Sequence, residues 1–184
     1  MILGLDISTS CTGWCILDDK GDLSDMGYID LKNKKGMFEK ALVVKRKLSA
    51  LHITNDIQRV VIEENLQSFR SGFSSAQTLS TLARFNGVVS YQCFEEFGSE
   101  PSFLNVNSSR KSLGIKVVRE KKCGISTKQQ VLDWVMLKLD GMYTWPTKVL
   151  RNGPRRGQTI LEAGCYDMAD AYVIAAAGLN EHLI

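Results

Sequence analysis

The sequence holds only two histidines, His52 and His182, three prolines, and no Cys-x-x-Cys pair among its five cysteines. Zinc sites are built from closely spaced Cys and His ligands. Cys11, Cys15, Cys93, Cys123 and Cys165 lack such spacing, so a structural zinc site is not expected. The odd count points to reduced thiols rather than a disulfide framework. No apolar run approaches the ~18–20 residues that cross a bilayer, and the opening MILGLD lacks the basic-then-apolar pattern of a signal peptide. The expectation is an intracellular, cytoplasmic protein with no membrane partner, with a viral or organellar setting left open. Repeats, low-complexity tracts and Pro-rich linkers are absent as well. With 184 residues, 44% of them hydrophobic, the chain reads as a single domain, 1–184, with a sizeable core.

Net charge is also small, at +3, but it is unevenly spread. Between residues 110 and 160 stand twelve Lys or Arg against three acids, a local charge of +9, while the rest of the chain carries −6. A surplus of this kind fits a polyanionic partner, or else a solvated basic face.

What the sequence does contain is a β-rich start followed by β-α alternation. Residues 1–6 and 13–18 read as strands, and Asp19-Lys20-Gly21 turns the chain into a third, around 23–31. Strands joined this tightly are antiparallel neighbours. Residues 36–53 have helical spacing, with Phe38, Ala41, Leu42, Val44, Leu48 and Leu51 near one face. Residues 59–63 (RVVIE) form a β-branched run typical of a buried strand. A long helix is expected over 74–97, a strand over 102–106, and an amphipathic helix over 127–139 with Val131, Trp134, Val135 and Leu137 to one side. The Ala-rich 167–179 reads as a buried helix, and 142–163, with Pro146 and GPRRG, as a loop. The order β-β-β-α-β-α-β-α-α implies an α/β fold: a mixed sheet with an antiparallel three-stranded start, then β-α units, and helices on its faces.

Four acids stand out in this frame. Asp6 closes the first strand, where it serves either as a turn-initiating residue or as a carboxylate at the sheet rim. Glu63 closes the run Val60-Val61-Ile62. Neighbouring side chains on a strand point to opposite faces, so only one of Glu63 and Glu64 can join Asp6, and Glu63 is favoured. Asp167 and Asp170, at i and i+3, share one face of an otherwise apolar helix. Two like charges there need something positive to compensate them, unless one is a cap and the other solvated. Four carboxylates without histidine suit hard cations such as Mg2+ or Mn2+. A pair of such ions per site, ~4 Å apart, supports phosphodiester hydrolysis.

The stretches ILGLDISTSCTGWCILD, VVIEENL and YDMADAYVIAAAG, in that order and rough spacing, resemble the RuvC family of Holliday-junction resolvases, within the RNase H-like nucleases. The resemblance spans nearly the whole chain. It implies an RNase H-like fold and a metal-dependent endonuclease acting on four-way DNA junctions, a crossover junction endodeoxyribonuclease that works as a homodimer. Carried onto this sequence, it implies Asp6, Glu63, Asp167 and Asp170 as catalytic metal ligands, and Lys111 and Lys128 as contacts to the scissile region. The family carries an aromatic wedge after its catalytic Glu. Here Leu66 takes the nearest place, with Phe69 or Phe73 as substitutes, and the 151–157 loop departs from the family pattern.

In the basic segment, Lys116, Arg119, Lys121, Lys122, Arg151, Arg155 and Arg156 are candidates to track phosphates. Phe69, Phe73, Tyr143 and Trp145 are candidates to stack on bases, core packing being the commoner fate of any one aromatic. Other readings compete. A sugar-kinase or actin-like ATPase shares such an opening, but it needs a second domain and an adenosine-binding loop, for which 184 residues leave no room. An inactive nucleic-acid-binding module explains the basic segment but not the four acids. A nuclease for another branched or flapped DNA remains the serious rival.

Overall fold

The computed structural model describes residues 1–64 and 75–180. Three strands open the chain: β1 (Ile2–Ile7), β2 (Cys11–Leu17) and β3 (Leu23–Asp30), paired antiparallel in sequence order. Helix α1 (Met37–Thr54) then returns the chain to β4 (Arg59–Glu63), which lies parallel to β1. Helix α2 (Ala76–Phe97) leads to the short β5 (Ser102–Leu104), parallel to β4. The five strands form one mixed sheet in the order β3-β2-β1-β4-β5. Helices α3 (Val106–Ser112), α4 (Glu120–Cys123) and α5 (Thr127–Lys138) follow, then a separate hairpin of β6 (Thr147–Val149) and β7 (Thr159–Leu161), and finally α6 (Gly164–Asn180). The expected α/β architecture is therefore present.

Strand alternation sorts the side chains into two cores. Leu3, Leu5 and Ile7 of β1, with Val60 and Ile62 of β4, pack against α1 and α2 on one face. Ile2 and Val61 pack on the other face, against α5 and α6. With period two, Asp6 follows Ile2 and Gly4 onto the α6 face, and Glu63 follows Val61 there. β1 and β4 run parallel with Leu5 opposite Ile62, so the next pair in register is Asp6 and Glu63, at the carboxyl ends of both strands. In open α/β sheets that rim is where ligands bind.

Several expectations are corrected. The 142–163 stretch is not wholly a loop: three-residue strands pair within it, too short to display a period of two. The strand expected over 102–106 stops at Leu104, because Asn105 caps α3 by accepting from the Asn107 and Ser108 amides. Neither α3 nor the four-residue α4 carries an apolar stripe to announce it. Phe38 and Leu42 of α1 and Leu137 of α5 face solvent, although spacing placed them with the core; Leu132 takes the buried position instead. Helix α6 begins at Gly164, one turn earlier than its apolar pattern suggested.

Candidate active site

Helix α6 brings the last two carboxylates to the rim. It lies unusually close to the sheet, because glycines stand beneath it. A Cβ on Gly4 would fall 2.4 Å from the Ala171 carbonyl oxygen, and one on Gly13 would fall 1.9 Å from that of Asp167. Gly13 is the antiparallel partner of Asp6. The backbone of Asp167 is thus pressed against the strand residue that pairs with Asp6. Asp170, one turn further on, is only 4% exposed.

The four acids act on one another strongly. Burial, then Glu63, Asp170 and Asp167, push the Asp6 carboxyl well above its ordinary range, and Lys128 offsets this only in part. Burial and Asp170 raise Glu63 to about 7, against the pull of Arg110 and Lys128. Burial raises Asp170 as well, outweighing Arg110. Four formal negative charges thus share a partly desolvated pit with two cations. Arg110 of α3 donates to the Asp170 carboxylate at 2.8 Å, and the Lys128 ammonium stands 3.6 Å from Asp167. These are the compensating charges that the Asp167/Asp170 pair requires. Burial works against the Lys128 ammonium, but Asp167, Asp170 and Asp6 outweigh it and raise its proton affinity. The Cys11 thiol also faces this pit. Burial and a hydrogen bond with Asp167 push it upward, so it stays protonated.

Among the described residues, no group of three or more His, Cys, Asp or Glu side chains is already disposed to hold a metal ion. The carboxylates share a pit, and two of them are turned towards Arg110 and Lys128. The donor set nevertheless fits hard dications: all oxygen, no imidazole, and an excess of negative charge that raises the proton affinity of Asp6 and Glu63.

Two clefts adjoin the carboxylates. One, of about 400 Å3, is basic and includes Arg110, Lys111 and Lys116. The other, of about 310 Å3, is mixed in charge: Lys32, Lys128 and Lys148 line it together with Asp30, Glu162 and Asp167. Arg119, Lys121 and Lys122 are exposed at α4, outside the lining of both clefts. Arg151, Arg155 and Arg156 are exposed at the tip of the β6–β7 hairpin. Tyr143 and Trp145 are half-buried against the α6 core and meet edge to face, 5.5 Å between centroids, so their rings serve packing. Phe69, Phe73 and Leu66 lie outside the described residues.

Sequence reasoning singled out Lys111 but missed its neighbour Arg110. The signal was available in two parts: Asp170 needed a cation, and buried carboxylates are best met by the guanidinium fork. It also missed Lys148 and Lys32, whose approach to Asp167 depends on tertiary packing.

Carboxylates on the adjoining rims of β1 and β4, faced by a helix, in a β3-β2-β1-β4-β5 sheet covered on both sides, define the RNase H-like α/β class. Within it, the chain is similar in structure to Thermus thermophilus RuvC in complex with a Holliday junction substrate: TM-score 0.65, 15% identity, with 99% of this chain and 95% of that one covered. It is likewise similar to another structure of T. thermophilus RuvC (TM-score 0.59, 17% identity, 99% and 95% covered). The yeast mitochondrial Holliday junction resolvase Ydc2 is similar at TM-score 0.55 and 18% identity, with 97% and 77% covered. No protein-family model and no curated protein matches the sequence. Among the described residues, no helix is long and apolar enough to cross a membrane.

Proposed function

We propose that this chain is a structure-selective endodeoxyribonuclease that resolves four-way DNA junctions by metal-dependent hydrolysis of the phosphodiester backbone. The observation that carries the reading is the meeting of Asp6, Glu63, Asp167 and Asp170 in one pit, on a fold shared with proteins named as Holliday junction resolvases. Asp6, Glu63, Asp167 and Asp170 would hold the divalent ions, Mg2+ or Mn2+, two per site. When bound, these ions supply Lewis-acid stabilisation of the charge that develops on the phosphate.

The chain's own residues do the rest. The carboxylates, once deprotonated, fix the cations at the rim, and without them the pit would repel a phosphate. Lys128, exposed beside Asp167, would meet a non-bridging oxygen of the incoming phosphate. Lys111 and Lys116 in one cleft, with Arg119, Lys121, Lys122, Arg151, Arg155 and Arg156 on the surface, contribute sequence-independent attraction for the backbone. Phe69 and Phe73 remain candidates for stacking at an opened junction. A C2 homodimer would match the two-fold symmetry of the junction and cut two strands as a pair. The setting in this reading is intracellular, in DNA recombination and repair, in keeping with five free thiols.

The test is incubation with synthetic four-way, three-way, flapped and linear duplex DNA in Mg2+ or Mn2+. Paired symmetric nicks confined to the four-way substrate support the assignment. Equal cutting of three-way or flapped DNA replaces it with a general branch nuclease, and no cutting of any substrate removes it.

A further inference from the structure

The β6–β7 hairpin is an isolated two-stranded sheet: it adds no strand to the central one, and all of β6 is exposed. Such ribbons are marginally stable alone, so its order must come from its root and its own turns. The root is tied to the body at several points. The Glu162 amide donates to the Pro146 carbonyl at 3.0 Å, and Cys165 Sγ donates to the same oxygen at 3.4 Å. The Tyr28 hydroxyl of β3 donates to the Glu162 carboxylate, and the Tyr143 hydroxyl donates to the Met26 carbonyl at 3.0 Å. The tip is closed by backbone alone, with bonds from the Gly157 amide to Leu150 and from the Arg156 amide to Gly153. Gly153 and Gly157 take positive φ there, at 79° and 86°. Backbone closure leaves the tip side chains unused.

Those side chains are all of one sign. From residue 141 to 161 there is no acid, and the hairpin carries Lys148, Arg151, Arg155 and Arg156. Among the described residues none of the four has an ion-pair partner within 4.0 Å. Clustered, unpaired guanidinium groups on a mobile surface ordinarily find local acids or disperse. Here they are held together on a stalk whose root adjoins the first turn of α6. Lys148, on the stalk, lines the same cleft as Asp167 and Lys128. From the Pro146–Glu162 bond to the Leu150–Gln158 bond is four residues, or ~13 Å. The arginine tip therefore stands off from the root by about the length of the ribbon.

We propose that the β6–β7 hairpin is a basic arm that grips the phosphate backbone of the duplex arm carrying the scissile bond, through Arg151, Arg155 and Arg156. The inference rests on the nuclease reading above and deepens it, by naming the element that holds the duplex beside the cleft of Asp167 and Lys128. Contact is with phosphates, so it is independent of base sequence and sensitive to charge.

The experiment measures junction binding by fluorescence anisotropy across a salt series in Ca2+, for wild type, R151A/R155A/R156A, R151K/R155K/R156K, and a variant in which residues 151–157 are replaced by Asn-Gly. Thermal midpoints and terbium luminescence report the fold and the carboxylate pit. The log–log salt slope is expected to fall by up to ~2.7 in the alanine variant, about 0.9 for each lost contact. The shortened hairpin should fall equally and the lysine variant little, with midpoint and terbium signal unchanged in all. Wild-type slope retained in both the alanine and the shortened variants overturns the arm. Absence of salt-dependent DNA binding in wild type overturns the nuclease reading itself.

Discussion

The guanidinium of Arg110 donates to the Asp170 carboxylate across 2.8 Å, joining α3 to α6 in an ion pair largely withdrawn from water. Removing one partner of such a pair strands the other as a buried charge, which costs ~3–5 kcal/mol. Arg110→Ala should therefore lower the thermal midpoint of the metal-free protein by several degrees, measured by circular dichroism in EDTA. Mg2+ should recover part of the loss, since a cation again faces Asp170. Arg110→Lys restores the charge without the fork and should fall between the two. An unchanged midpoint in Arg110→Ala would mean that the pair contributes nothing.

If the proposed function holds, substitution of the carboxylates should separate catalysis from binding. Asp6→Asn or Asp167→Asn should reduce cleavage at least ~10^2–10^3-fold, the scale of losing one preorganised electrostatic stabiliser. Junction affinity in Ca2+ should stay within a few-fold, because the basic side chains are untouched. Glu63→Gln should behave alike, while Glu64→Gln, the next residue just past the end of the strand, should keep most of the activity. Loss of folding along with cleavage would make these acids structural.

Stability of the metal-free protein should fall as pH rises. Glu63 takes up its proton at about 7 in the folded chain, and Asp6 also lies well above its ordinary value. The folded state thus binds more protons than the unfolded one, and the associated stability is present below about pH 4 and lost as pH climbs through 7. Thermal midpoints in EDTA should drop between pH 5 and pH 8. With Mg2+ present the trend should reverse, since ligands bind metal only when deprotonated. A flat profile in EDTA would show that the acids do not share one pit.

Gly13→Ala tests the approach of α6. Its Cβ would meet the Asp167 backbone at 1.9 Å, where no side chain can rotate away. Destabilisation of at least ~1–3 kcal/mol is expected, together with weakened terbium binding at the pit. Gly87→Ala in α2, where an added Cβ meets nothing within 4 Å, is the matched control and should be neutral or slightly stabilising. Equal behaviour of the two variants would remove the close contact from the account of the site.

Much of this was legible in the sequence, and the reasons are local. Asp6, Glu63, Asp167 and Asp170 sit on elements with clear periods, so parity let only one of Glu63 and Glu64 join Asp6, and i,i+3 spacing put Asp167 and Asp170 on one helical face. What stayed hidden depends on packing or on elements too short for a period. Arg110 lies on a seven-residue helix without an apolar stripe, capped by Asn105. Lys148 lies on a three-residue strand. Phe38 and Leu137 show the limit from the other side: their spacing is right for a core face, yet among the described residues both stand exposed.

Gly4 and Gly13 beneath α6 make the gap between helix and sheet a main-chain dimension. Two backbones in contact have no rotamers to trade, so this span behaves as a fixed gauge rather than an adjustable one. Surface loops can lengthen, and distant core residues can be exchanged, without altering the opening above the carboxylate pit. The tolerance of the pit is thereby concentrated in a few positions, where adding one methyl group would be felt at once.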